Sequence, residues 1–454
     1  MGVAGAGMSA LALLARRRGV MVTGCDREPD GPGAASSSMD VRAAGGVVFA
    51  GHDPSHVSGA RAVVVTAAIP PNHPELERAR ALGIPIVRRA DALAAAIALG
   101  RVVAVAGTHG KTTTTAMTTE ALVAAGLDPT GIAGGRIASW GGNTRFGGDA
   151  VFVVEADEYD KSFLALSAEV AVINNVEADH LECYGSLEAL EEAFALFARP
   201  ARRVIAGADD PGACRVAVRS GRPTWTVGLG AQSDVRIADL RQAPTGSTAT
   251  VALPGGRSVE LRLKVPGLHN VRNAAAALAV TMDLGGSLQP ALDALATFGG
   301  VGRRFELLGT ASGVTVVDDY AHHPTEIAAT LEGARQAYPG RRLVAVFQPH
   351  LYSRTALHGE AMGKALAVAD VVMVTGVYAA REAPVEGVTG RMVADAARRS
   401  GGEVHWVPER KDLVAEVAAV VRSGDVVLTL GAGDVTAVGR ELLAGLAARP
   451  GASA

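Results

Sequence analysis

The sequence predicts an α/β protein of about three domains built on parallel sheets. Two observations carry that prediction. The chain has 454 residues, against roughly 150 per domain. Three stretches also repeat one theme: a β-branched run, a glycine turn, then an Ala/Leu-rich helical segment, which is the pattern of βαβ units. Composition agrees, with 48% hydrophobic and 20% charged residues, enough apolar material to offset chain entropy.

The first region runs from Met1 to residue 90. Val20-Met21-Val22-Thr23-Gly24, Val47-Val48-Phe49 and Ala62-Val63-Val64-Val65 read as strands, and Pro70, Pro71 and Pro74 break the chain after the last. The second region, 91–301, opens on the strand Arg101 to Ala106 and continues with Val151 to Val154 and Val170 to Ile173. From Gln232 to Val265 a more polar stretch alternates at period two, which predicts a small antiparallel insertion. An alanine-rich helix carrying Asn270 and Asn273 follows. The third region, 302–454, has strands at Val314 to Val317, Leu343 to Phe347, Val371 to Thr375, Glu403 to Val407 and Val426 to Leu430. No short repeat or long linker interrupts the chain.

Several function classes are excluded. A net charge of −3 gives no footprint for nucleic acid. Apolar stretches such as Ala92 to Leu99 stop well short of the ~18 to 20 residues of a membrane-spanning helix. Cys25, Cys183 and Cys214 lie far apart and form no CxxC pair, against a zinc knuckle or a disulfide framework. With no basic, apolar leader at Met1, the expected location is the reducing cytoplasm.

The strongest chemical signal is Gly107-Thr108-His109-Gly110-Lys111-Thr112, between a strand and a Thr/Ala-rich helix. Glycines let backbone N–H groups approach phosphate oxygens, and the helix N-terminus adds a favourable dipole. Lys111 is placed to reach the β/γ-phosphates and the Thr112 hydroxyl to sit on Mg²⁺. Val105 stands where the full phosphate-loop pattern has its first glycine. The chain holds 38 Arg but only 5 Lys, so a lysine here stands out from background. Glu155-Ala156-Asp157-Glu158 and Glu177-Ala178-Asp179-His180 each follow a strand. They therefore fall at carboxyl ends, where open α/β sheets bind ligands. Hard carboxylate oxygens suit Mg²⁺, and a histidine can join them.

These residues resemble the Mur ligases of bacterial cell-wall synthesis. The resemblance covers essentially the whole chain and is closest to the alanine-adding branch. Further motifs carry it: His269-Asn270-Val271-Arg272-Asn273, Gly302 to Glu306, Asp318 to Glu326, and Phe347 to Thr355. It implies Rossmann-like N-terminal (1–90) and C-terminal (302–454) domains around a central P-loop ATPase domain (91–301) with a parallel sheet and the small antiparallel insertion. The first would hold the UDP end of the substrate, the second ATP, and the third would close over the site with the amino acid. The implied reaction joins L-alanine to the carboxylate of UDP-N-acetylmuramate through an acyl phosphate, at the cost of ATP, in peptidoglycan precursor synthesis. The alternative is a recycling ligase that adds a tripeptide to the same sugar.

The resemblance also assigns residues. Lys111, His180, His350 and Arg354 would be catalytic. Gly107, Thr108, His109, Gly110, Lys111, Thr112, Thr113, Asn270, Asn273, Arg304 and Asp319 would bind the nucleotide. Thr112, Glu155 and His180 would hold two Mg²⁺ ions. Gly5, Gly7, Met8, Ser9, Asp26, Thr66, His109, Asn143 and Arg354 would meet the substrates. No nucleic acid or membrane partner is implied, and the chain is expected as a monomer or homodimer.

Each residue also has a plainer reading. Asn270 and Asn273 could cap their helix. Arg304 and Glu306 could form a surface ion pair. His322 and His323 could merely start a helix at Pro324, and Arg303 is expected to be solvated.

Three departures stand out. The chain starts at Gly2-Val3-Ala4-Gly5-Ala6-Gly7, where the family has a strand first, so the first domain is expected to lack its opening strand through a mis-assigned start. Thr66-Ala67-Ala68 replaces a Ser-Ser-Ala-like loop. No lysine occurs between Lys161 and Lys264, so the carbamylated lysine of several relatives is not expected. Two rivals remain. A nicotinamide dehydrogenase would use Gly2 to Gly7 with Asp26 on the ribose, but leaves Lys111 unexplained. A non-catalytic nucleotide-binding regulator would not need the Asp319 and His350 motifs.

Overall fold

A computed structural model describes residues 1–31, 35–243, 246–380 and 382–448. Positions 244 and 245 of the predicted insertion, and the last six residues of the third region, lie outside them.

The first region contains β1 (Thr23–Asp26), β2 (Val47–Ala50), β3 (Val63–Val65) and β4 (Ile86–Arg88). They pair in parallel as two separate two-stranded sheets, β1 with β2 and β3 with β4. Between them the Met1 ammonium donates to Val64 O at 2.8 Å, and Gly2 N and Val3 N donate to Cys25 O at 2.8 and 3.1 Å. Strand β1 begins three residues later than its apolar run predicts. Its pairing starts at Thr23↔Val47, while Met21 is 89% exposed. Side-chain type found the run, but the pairing partner set its ends.

The central strands are β5 (Arg101–Ala106), β6 (Thr130–Ile137), β7 (Gly142–Arg145), β8 (Val151–Glu155), β9 (Val170–Ile173), β10 (Arg203–Gly207), β11 (Thr224–Gly228), β12 (Val235–Ala243), β13 (Gly246–Leu253) and β14 (Arg257–Leu263). Their sheet order is β14-β13-β12-β11-β10-β9-β5-β8-β6-β7. Strand β5 lies between β9 and β8, parallel to both. The chain leaves β5 toward one side for β6 and β8, then reaches β9 on the other. That reversal opens a crevice at the carboxyl ends of β5, β8 and β9, where such sheets bind ligands. The predicted insertion is β12–β14. Three residues separate β13 from β14, a link that joins only antiparallel neighbours. Strand β12 continues the sheet in parallel from β11.

The last strands are β15 (Glu306–Ala311), β16 (Val314–Asp319), β17 (Leu343–Phe347), β18 (Val371–Val374), β19 (Glu403–Trp406) and β20 (Val426–Leu430), in the order β15-β16-β20-β17-β18-β19. Only β15 is antiparallel to its neighbour. Strand β17 shows why its residues read as an unbroken apolar run. Leu343, Ala345 and Phe347 enter one core, and Val344 and Val346 enter the core on the opposite face. A strand covered by helices on both faces has no polar side to present.

The chain forms two compact units. One comprises Met1–Ala238, Thr250–Leu261 and Arg272–Thr297; the other comprises Asp239–Ala249, Arg262–Val271 and the chain from Phe298 onward. Among the described residues no helix is long and apolar enough to cross a membrane.

Candidate active site

Strand β5 delivers its chain end to the phosphate loop. Gly107 (φ 138°) and Gly110 (φ 78°) take left-handed conformations that a side chain would resist. A Cβ on Gly110 would also lie 2.9 Å from Asn273 Oδ1 and 3.1 Å from Asn174 Nδ2. The helix Lys111–Ala124 starts directly after it, with Thr112 and Thr113 buried in its first turn. The loop is fastened to the segment following β9. Thr108 N donates to Asn175 O at 3.0 Å, His109 N to Asn175 Oδ1 at 2.7 Å, and Glu177 N to Thr108 Oγ1 at 2.9 Å. The His109 ring faces the Glu177 carboxylate at 3.5 Å.

Lys111 Nζ donates to Gly107 O at 2.7 Å and to Thr108 O at 3.3 Å, and lies 2.8 Å from Glu158 Oε2. Burial alone would lower its pKa. The carboxylates of Glu158, Asp157 and Glu155 outweigh that and hold it above the ordinary lysine value. The ammonium is therefore charged and already bent over the loop. Glu155, at the end of β8, is raised by burial, although Gly134 N donates to it and it is hydrogen-bonded to the Thr112 side chain. The structure thus brings Thr112 and Glu155 together.

His180 follows β9 with φ 53° and ψ 32° and opens the short helix Leu181–Tyr184. A left-handed non-glycine residue costs roughly 1–2 kcal/mol, and such strain clusters at functional sites. Its ring is held by Glu182 at 3.3 Å and lies edge-on to Tyr159.

The first glycine loop is bound to neighbouring elements. Ala4 N donates to Asp26 Oδ2 at 3.0 Å, and Asn143 Nδ2 to Ala6 O at 2.6 Å. A Cβ on Gly7 would meet Arg89 Nη1 at 2.8 Å, and Gly2 approaches the Thr66 side chain. Met8 and Ser9 are buried in the helix Ala6–Arg17. A cavity of about 300 Å³ opens here, lined by residues that include Gly5, Ser36, Ser37, Gly134, Arg136 and Asn143.

In the second unit, Asp319 ends β16 and accepts from Ala321 N at 2.7 Å and Phe305 N at 2.8 Å. Burial pushes its carboxyl up to about 6, although Arg304 and those two N–H groups pull it down. Arg304 pairs with Glu326 at 3.2 Å and lies over the Tyr320 ring. The surface pair with Glu306 does not form; the Glu306 carboxylate instead accepts from Arg303 N at 2.7 Å. Arg303 is not merely solvated either. It reaches the buried Asp318 at 3.2 Å and donates to Gly431 O at 2.6 Å.

Asn270 and Asn273 are no helix caps, because both lie inside the helix Leu268–Asp283, and Asn270 Nδ2 donates to Pro266 O. His323 does cap the helix Pro324–Ala337, as its plainer reading held. His350 stacks on Tyr378, with Arg354 Nη1 at 3.3 Å from its Nδ1. Leu351, at φ 68°, turns the chain from that histidine into the helix Tyr352–Leu366, which buries Arg354.

Sequence reading missed Glu158 as the partner of Lys111, although it lies in the acidic cluster. It missed Arg136 altogether, since nothing near it in sequence forms a motif.

Sequence profiles of the Mur ligases match in chain order: "Mur ligase family, catalytic domain" over residues 1–101, "Mur ligase middle domain" over 105–281, and "Mur ligase, glutamate ligase domain" over 303–433. The UDP-N-acetylmuramate–L-alanine ligase of Kineococcus radiotolerans is 47% identical, the match covering 99% of this chain and 96% of that one. Its counterpart from Cutibacterium acnes is 46% identical, over 97% and 94%. Among solved structures, UDP-N-acetylmuramate–alanine ligase from Thermotoga maritima superposes with a TM-score of 0.82 at 32% identity, covering 98% of this chain and 97% of that one. A murein peptide ligase from Psychrobacter arcticus gives 0.73 at 27%, over 99% and 98%. On this ground, the chain belongs to the Mur ligase family.

Proposed function

We propose that the chain joins L-alanine to the carboxylate of UDP-N-acetylmuramate, driven by ATP. The observation that carries this reading is its likeness, across nearly its whole length, to ligases named for that reaction. The phosphate loop supplies the chemical part. A carboxylate is a poor acylating group because oxide leaves badly. Transfer of the ATP γ-phosphoryl to a carboxylate oxygen releases ADP and forms an acyl phosphate. The alanine nitrogen then attacks the acyl carbon, phosphate leaves, and the nitrogen loses a proton. No covalent enzyme intermediate is needed, so positioning and charge neutralisation do most of the work.

The residues take roles to match. The Lys111 ammonium neutralises the phosphoryl group in transfer, and the N–H groups at the start of its helix hold phosphate oxygens. Thr112 and Glu155 fit Mg²⁺: a half-buried carboxylate and a hydroxyl, hydrogen-bonded to each other, present hard oxygen donors beside the loop. His180 would hold a second ion. Mg²⁺ so bound would offset phosphate charge. Gly5, Gly7, Met8, Ser9, Asp26, Thr66, His109 and Asn143 would receive the UDP-sugar. Thr113, Asn270, Asn273, Arg304 and Asp319 would serve the nucleotide. His350 would meet the acyl phosphate, and Arg354 would take the amino-acid carboxylate, which suits its planar fork. In this reading residues 1–90, 91–301 and 302–454 act as three functional domains.

The test is phosphate release in the presence of ATP, UDP-N-acetylmuramate and L-alanine, with each omitted in turn. Release that requires all three is expected. Release unmoved by L-alanine but stimulated by a tripeptide would transfer the chain to the recycling reaction, and release with neither would defeat the reading.

A further inference from the structure

A second cluster of metal-binding side chains lies in the first region, apart from every residue assigned to a substrate above. Glu75 opens the helix Pro74–Ala81 and is 0% exposed. Three imidazoles converge on its carboxylate. His52 Nδ1 lies 3.2 Å from Oε2, His73 Nδ1 lies 3.8 Å from Oε2, and His56 Nδ1 lies 2.9 Å from Oε1. Asp53 N donates to Oε1 at 3.2 Å, and the Cys25 thiol to Oε2 at 3.3 Å. The His52 and His73 rings meet edge to face with centroids 4.8 Å apart.

Hydrogen bonds link these groups in the free chain. Asp53 N–H and His56 already satisfy Oε1. Two further imidazoles then crowd the side of Oε2, where the thiol is a donor already. In the free chain the Nδ1 of His73 accepts from Glu75 N at 3.3 Å, and a shared cation would replace that bond and the His52 contact with metal bonds. With bonds of about 2.1 Å, ligand atoms on a tetrahedral ion stand about 3.4 Å apart, and the two separations at Oε2 bracket that value. Donor atoms of His52, His73 and Glu75 all lie within 4.8 Å of one another. The three imidazole side chains keep 15–21% exposure, so an ion can enter from solvent. Two imidazoles with one carboxylate suit Zn²⁺ and its neighbours better than Mg²⁺, which prefers sites dominated by oxygen.

The geometry points to a transition-metal site of the Zn²⁺ class, with His52, His73 and Glu75 as ligands and water in the open fourth position. His56 and Asp53 N–H hold the far carboxylate oxygen, as outer partners of metal ligands commonly do.

The experiment uses the full chain with excess Mg²⁺ present throughout. Equilibrium dialysis against Zn²⁺ compares wild type with His73→Asn and with His52→Gln. Asn offers an oxygen in place of the His73 Nδ1 that caps the helix Pro74–Ala81, and it removes the imidazole ligand. Wild type should bind one more zinc per chain than either variant. Equal zinc binding, in stoichiometry and affinity, would overturn the site. Circular dichroism without zinc checks that the variants fold. Should they not, Co²⁺ added to the unaltered chain decides: the intense visible bands of four-coordinate Co²⁺ support the site, and their absence refutes it.

Discussion

Removing the Lys111 ammonium leaves the Glu158 carboxylate, 2% exposed in its side chain, without its cation. Breaking such a buried pair costs roughly 3–5 kcal/mol, and under the proposed mechanism the transition state loses one of its positive charges. Lys111→Ala should therefore lower turnover on the order of a thousandfold while also lowering the urea midpoint. Adding Glu158→Gln should restore much of the stability and none of the turnover; recovery of turnover in the double variant would remove Lys111 from catalysis. Asp319 makes a separate prediction. Its folded pKa of about 6 stands above the ordinary 3.8. Between those values the native chain keeps a proton that the unfolded chain has lost, so this carboxyl's contribution falls as pH rises through the window, by about 3 kcal/mol in all. Thermal melts across pH 4 to 6 should show that slope in wild type and not in Asp319→Asn. Both residues were legible in sequence, because each follows a strand with a motif around it. Glu75 was not. Its partners come from three places in the chain, and no spacing announces them.

At the scale of elements, strands buried on both faces were read at their true limits: Arg101–Ala106, Val170–Ile173, Leu343–Phe347 and Val426–Leu430. There the apolar run and the hydrogen-bonded run coincide, because covering helices demand apolar residues along the whole length. Strand β1 was misplaced, since a half-exposed strand of four residues carries little such signal. The loop between β5 and its helix shows why glycine was the right clue. Gly110 needs its left-handed conformation, and its missing Cβ leaves room for Asn273. Gly110→Ala should cost about 1–2 kcal/mol in backbone strain and push Asn273 away from the loop. The KM for ATP should rise on the order of tenfold, the equivalent of about 1.4 kcal/mol, with a smaller change in the KM for L-alanine. Initial rates at varied ATP measure this, and an unchanged KM would mean that the loop tolerates a side chain there.

For the whole molecule, the large arginine count has a modest thermodynamic meaning. Many of its ion pairs are exposed, such as Arg399 with Glu360 and Arg88 with Asp91, and exposed pairs contribute about 0–1 kcal/mol each. The arginines that matter are those reaching buried carboxylates, such as Arg303 to Asp318, Arg342 to Asp425, Arg203 to Asp283 and Arg215 to Glu191, and composition alone did not distinguish them. Raising salt to about 1 M, where the screening length falls to about 3 Å, should therefore move Tm little. Ligand should move it more, because Mg·ATP binds only the folded chain. At a hundredfold excess over Kd it adds about 2.7 kcal/mol, a rise of several degrees for domains of this size. That rise should be largely lost in Lys111→Ala, whereas the shift produced by UDP-N-acetylmuramate alone should persist, because the cavity proposed to receive it is lined by Gly5, Arg136 and Asn143. Differential scanning of both proteins with each ligand separates these effects. A variant that lost both shifts equally would show that the substitution had disturbed the fold of the first unit and not the phosphate loop alone.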